Sequence, residues 1–246
     1  MLRKEKVISF LWQHVLLILS LYIMTIGVVL CIKSALGSSV ISSLPLSFSM
    51  AGALGEAPAL SVGGYTITMN VVLVGLQILV LRKRFKHIQL FQLIIGVFFG
   101  WLIDINFHVT SWIDCSSLLS QAIVQFVGCV VMAFGIAFEV RCGSVTMPGE
   151  GITVALGQVM KIPFAKMKII VDTSLVAIAI VSSFVFFGRW EWNIIGPGTL
   201  FAMFFIGYVI KMLAPHLGWF DHLLAYRPGF RRYVFGLAKY IYGKRN

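Results

Sequence analysis

The sequence predicts an all-α polytopic membrane protein, with six transmembrane helices and two short re-entrant or broken helices laid out as an inverted 3+3 repeat. Three observations predict it: six long apolar runs, a one-sided distribution of basic residues, and an internal likeness between the two halves.

Of the 246 residues, 59% are hydrophobic and 12% are charged, against about a quarter charged in an ordinary soluble domain. Apolar runs cover residues 7–32, 65–81, 88–107, 117–138, 167–187 and 194–213. Each is about as long as the 17 to 25 helical residues that a bilayer core requires. They leave no stretch for a soluble domain. Arg3, Lys4 and Lys6 precede the first run, which is longer than the ~7 to 15 residues of a secretory signal core and reads as a retained helix. Segments 40–53 and 148–160 have only 14 and 13 residues. They are apolar enough to enter a membrane and too short to cross it, which fits re-entrant pieces.

The basic residues set the topology. If six runs cross from a cytoplasmic N-terminus, eighteen of the twenty Lys and Arg residues lie inside, and only Lys33 and Arg189 lie outside. If the short segments crossed as well, the split would be thirteen to seven. The positive-inside rule favours six crossings, with both termini cytoplasmic. It also accounts for the net charge of +11 without nucleic acid as a partner. The chain then divides into a first repeat (1–110), a second, inverted repeat (111–213) and a tail (214–246). That tail mixes Trp219, Phe220, Tyr226, Phe230 and Tyr233 with Arg227, Arg231, Arg232 and Lys239, a composition suited to the anionic headgroups of a cytoplasmic leaflet.

The repeat emerges when "IGVVLCIKS" is laid over "FGIAFEVRC". Gly27 meets Gly135 and Lys33 meets Arg141, at a shift of 108 residues. The same shift carries Val40 to Pro148 and Ser42 to Glu150; after a six-residue gap Asn70 meets Asp172, and "GWLID" over "GYVIK" pairs Asp104 with Lys211. The shared order of these matches is the signal. Three crossings per half is an odd number, so the second half lies upside down relative to the first, a plan found in many secondary transporters.

The stretches "GVVLCIKSALGSSVISSL", "GIAFEVRCGSVTMPGEGI", "KMKIIVD" and "GPGTLFAMFFIG" resemble the YczE/YyaS/YitT group of bacterial integral membrane proteins, over residues 20 to 213. Each repeat of that group resembles Lys-x-x-Leu-Gly-x-x-Pro-x-Asp. The first copy keeps Lys33, Leu36 and Gly37, with Val40 and Ser42 at the proline and acid positions; the second keeps Pro148, with Val145 for the glycine and Glu150 for the acid. The resemblance implies a bacterial cytoplasmic membrane and names no substrate.

The candidate site follows from helix starts and misplaced charge. Pro148 suits the first position of a helix, where its missing donor costs nothing, and Gly149 and Glu150 then fall in the first turn. The unpaired amides there carry partial positive charge, which Glu150 or an anionic ligand can meet. Ser38, Ser39 and Ser42 are placed to do the same at the start of the first short helix. Two such starts facing each other near the midplane would make a small polar cavity. Asp172 lies several residues inside a crossing helix, where acids normally face a partner or a water-filled path; Lys168, one turn earlier, and Arg141 are its candidate partners. Asn70 would supply the neutral counterpart in the other half. Glycines 27, 96, 100, 128, 135, 198 and 207 are expected to permit close helix packing, and the four cysteines to act as small packing residues.

No Cys/His spacing suggests a metal or cofactor, and no Ser/His or Cys/His arrangement suggests an enzyme. The expected function is secondary transport of a small anionic or zwitterionic solute by alternating access. The alternatives are a channel-like pore with re-entrant half-helices, or a membrane scaffold for a partner protein.

Overall fold

The computed structural model describes residues 3–85, 87–142 and 147–224. The described residues form nine α-helices, with short 3-10 turns between some of them and no strand. Six helices are long and apolar enough to cross a membrane: α1 (Arg3–Lys33), α3 (Val62–Leu81), α4 (Phe91–Val109), α5 (Leu118–Cys142), α7 (Phe164–Phe187) and α8 (Pro197–Leu213), the last continued by a 3-10 turn to His216. Between them lie α2 (Val40–Ala53) and α6 (Pro148–Met160), with the bounds expected for the two short helices, and α9 (Gly218–Leu224) follows α8.

Local chemistry explains several of these boundaries. Ser61 caps α3 by accepting from Gly64 N at 2.9 Å, while Pro148 and Pro197 open α6 and α8 at positions that need no donor. At the other end, α7 stops at Gly188 in the left-handed conformation. In one place the structure exceeds the expectation: α5 runs four residues past the apolar run that ended at 138. Glu139 and Arg141 extend the helix because each finds partners within the protein.

The centre of the molecule is the crossing of α1 and α5. Three-fifths of the apolar stretch of α1 is enclosed, against about a fifth for α8. Glycines bring the two backbones together: a Cβ on Gly27 would sit 2.4 Å from Met132 N, and one on Gly135 would sit 2.5 Å from Met24 Cα. These contacts are reciprocal at the 108-residue shift, since Met24 maps to Met132 and Gly27 to Gly135. Close approach through small residues is the usual means by which membrane helices associate. The Cys31 and Cys129 sulfurs lie 3.9 Å apart at the same crossing, packed under Ala202 of α8.

The outer helices follow a matched pattern. α2 packs against α7 and α3, α6 packs against α3 and α7, α4 rests on α1, and α8 rests on α5. One pair breaks the match. α3 lies tightly along α4, where a Cβ on Gly63 would fall 2.1 Å from Gly100 O, whereas α7 and α8 scarcely touch.

Two further contacts differ from expectation. Gly207 meets no neighbour within 4 Å of where a Cβ would stand, so it faces open space, unlike the packing glycines. The segment from 217 to 224 also folds inward: Leu217, Phe220 and Leu224 are buried, Phe220 stacks on Phe138 with centroids 4.6 Å apart, and Trp12 Nε1 donates to Leu223 O at 2.9 Å. Only Trp219 of its aromatic residues keeps the exposed position expected of an interfacial segment. The expected headgroup contacts of residues 225–246 lie outside the described residues.

Candidate functional site

The two short helices begin beside each other. The first turn of α2 is held by the loop before it: Gly37, at φ 111°, packs so closely on Gly196 that a Cβ would lie 2.4 Å from Gly196 N, and Gly198 N donates to Leu36 O at 2.8 Å. Ser38 completes this seam, its amide and hydroxyl both donating to Ile194 O at 3.1 and 2.9 Å. The first turn of α6 is held from the other side, where Gln77 Nε2 donates to Pro148 O and to Gln92 Oε1, each at 3.2 Å. Between these clamps the starts meet, because a Cβ on Gly149 would stand 3.3 Å from Ile41 Cδ1.

A cavity of about 240 Å³ opens at this meeting point, in the space left between α7 and α8. Ser39, Glu150, Lys168 and Asp172 form its polar end, and Met24, Met132, Ile136, Met203 and Ile206 are among its apolar walls. Its position, between the first turns of α7 and the last turns of α8, puts it on the side where α5 ends and α1 begins. Lys168 and Asp172 are one helical turn apart and form an ion pair of 2.7 Å. The Lys168 ammonium is also within electrostatic reach of Glu150 and Glu139. Glu150 lies back on its own amide, and its Oε2 is shut off from solvent with no hydrogen-bond partner among the described residues. Glu139, 6% exposed, accepts from Met147 N at 3.3 Å, directly before α6 begins.

The structure thus gathers Ser39, Glu150 and Asp172 around one cavity, with Pro148 and Gly149 in the helix start that carries Glu150, and with Ser42 behind Ser39 through a 2.7 Å bond between their hydroxyls. Neither serine caps α2 in the expected way: Ser39 makes no side-chain bond to the first-turn amides, because its hydroxyl is engaged by Ser42. Ser38 belongs to the seam with the α8 loop. Asn70 lies outside the cavity, facing α4, where its Nδ2 donates to Gly96 O at 3.3 Å. Arg141 is also placed elsewhere. Its guanidinium pairs with Asp221 and donates to Leu217 O and Ala214 O, so it fastens the C-terminal segment and leaves Lys168 as the base of the cavity.

Glu139 escapes the sequence reading because it falls one residue beyond the apolar run and looks like loop. Its signal was the stripe Gly128, Met132, Gly135, Glu139, which recurs at helical spacing and is buried throughout. The Gln77 and Gln92 clamp depends on a contact with Pro148, seventy-one residues beyond Gln77, that no spacing encodes.

Six long apolar helices enclosing a charged cluster define a multi-pass, all-helical membrane protein. Residues 11–215 match the Family of unknown function (DUF6198), and the chain belongs to that family. Among curated proteins and among solved structures nothing matches the chain.

Proposed function

We propose that this protein is a secondary transporter that moves a small charged solute by alternating access, with both termini on the cytoplasmic side of a bacterial inner membrane. The observation that carries the reading is the cavity itself, where Glu150, Lys168 and Asp172 meet the starts of two short helices. An ionisable side chain at the centre of a membrane helix costs about 2.5 to 3.5 kcal/mol on insertion scales and marks solute or proton paths. Broken helices meeting at a charged site are the recurrent architecture of secondary transporters.

The reciprocal glycine contacts and the matched packing of α2 with α7 and α6 with α3 support two inverted halves. The exception then gains a meaning. In an inverted repeat, α3 with α4 is the counterpart of α7 with α8, on the opposite side of the membrane. The first pair is shut: Asp104 accepts from Ser61 Oγ at 2.7 Å and from Gly63 N at 2.9 Å, tying α4 to the start of α3. The second pair is apart. With the termini cytoplasmic, as proposed, this arrangement corresponds to an inward-open state, and exchanging the conformations of the halves gives the outward-open one.

Reconstituted vesicles test the proposal. Screening amino acids, short carboxylates and short amines should find a solute whose uptake saturates and shows counterflow, with Glu150→Gln and Asp172→Asn lowering the rate at least tenfold. Non-saturating conductance, or uptake untouched by both variants, would overturn it.

A further inference from the structure

The balance of charge around the cavity is uneven. Among the described residues three carboxyl groups, Glu139, Glu150 and Asp172, share one ammonium, and Lys168 is already paired with Asp172 at 2.7 Å. Every element packed around Glu150 contributes to the count. α5 brings Glu139, and α7 brings Lys168 and Asp172. Among the described residues α2 and its cap bring hydroxyls and apolar side chains, α3 and α4 the amides of Gln77 and Gln92, which stand 2.8 and 2.3 Å from where a Cβ on Gly151 would be, and α1 and α8 the apolar side chains of the cavity wall. Among the described residues Glu139 and Glu150 thus share with Asp172 the single charge of Lys168, which leaves two carboxyls in excess. Two ionised carboxylates cannot stay unpaired in an apolar enclosure; they take up a proton or a cation.

We infer that the solute is a small organic ammonium ion, bound by Glu150 with Glu139 behind it in exchange for a proton those two carboxyls otherwise hold. The inference depends on the reading of this cavity as the solute site, and deepens it. Glu150 lines the cavity, and its carboxyl, whose Oε2 is enclosed with no hydrogen-bond partner among the described residues, turns to supply the acceptor for the ammonium, while the walls supply the rest. Met24, Met132 and Met203 line the apolar part, and methionine adapts to varied shapes better than any branched side chain. A cavity of about 240 Å³ admits a body the size of a short alkyl chain or a single ring, given that a water occupies about 30 Å³. The poor contact between α7 and α8 leaves the cavity open along that gap.

Two probes matched in body and opposite in charge test this: hexylammonium and hexanoate, titrated calorimetrically at pH 8 into the full-length protein in nanodiscs, with empty nanodiscs as the blank. Repeating the titration in buffers of different ionisation enthalpy reads proton release. Hexylammonium should bind saturably, at least tenfold more tightly than hexanoate, and release up to one proton. Glu150→Gln and Glu139→Gln should each weaken it about tenfold and abolish the release; the second keeps the acceptor for Met147 N, so loss of fold is not the expected cause. Equal or tighter binding of hexanoate, no saturable binding of either probe, or unchanged hexylammonium binding in both variants would overturn the inference. The transport reading separates from it in proteoliposomes. Proton-linked binding without accumulation driven by a pH gradient would support this inference and overturn transport, whereas accumulation of hexanoate alone would support transport and overturn this inference.

Discussion

Glu150 and Asp172 could be singled out from the sequence because each interrupts an apolar stretch, and both line the cavity. Glu139 and Arg141 were harder to place, since their partners are an amide eight residues on and a carboxylate eighty residues on. Near a helix end, a charged residue that snorkels and one that turns inward look alike in sequence. The Lys168 and Asp172 pair gives a direct prediction at this scale. Asp172→Ala leaves the ammonium without its nearest carboxylate and should cost about 1 to 3 kcal/mol of stability, the usual worth of a charged hydrogen bond. Lys168→Met with Asp172→Leu removes both charges and should recover most of that loss. Thermal unfolding of the wild type, the single variant and the double variant in detergent would measure it.

The elements themselves were largely legible. Short and long helices were separable by length alone, because a bilayer sets the length of a crossing helix, and the bounds of α2 and α6 agree with the apolar segments. The role of each glycine was not legible, since a glycine in a tight crossing and one beside open space have the same neighbours in sequence. Gly27 and Gly135 meet backbone well inside contact distance, while Gly75 and Gly207 meet nothing within 4 Å. Gly27→Leu and Gly135→Leu should therefore push α1 from α5 and lower stability by at least the ~1 to 3 kcal/mol typical of overpacking. Gly75→Leu should be nearly neutral. Gly207→Leu should fold normally and slow uptake, because its side chain would enter the cavity; unfolding curves and vesicle uptake on the four variants distinguish these outcomes.

At the scale of the molecule, the order of matches along the chain suggested two related halves, and the proposal of two inverted halves rests on that order and on the contacts of Gly27 with Met132 and Gly135 with Met24. What the sequence could not reveal is the difference between the α3–α4 and α7–α8 pairs. Whether α3 closes on α4 while α7 stands off α8 is a choice between two packings of one chain, and such a choice leaves no mark in spacing or composition. Asp104 holds the closed pair through Ser61 and Gly63. Asp104→Ala should loosen that side and raise the labelling of cavity cysteines from the face opposite the tail several-fold. Unchanged labelling would show that Asp104 only caps α3.

Alternating access is the central claim, and the accessibility of one wall residue tests it most directly. Ile206→Cys, in a chain whose four native cysteines are replaced, would be treated with a membrane-impermeant thiol reagent in right-side-out and in inside-out vesicles. Labelling in both orientations, faster from the face where α7 begins, is the predicted result. Labelling from one face alone would contradict the account, since a cavity that never opens to the other side cannot carry a solute across.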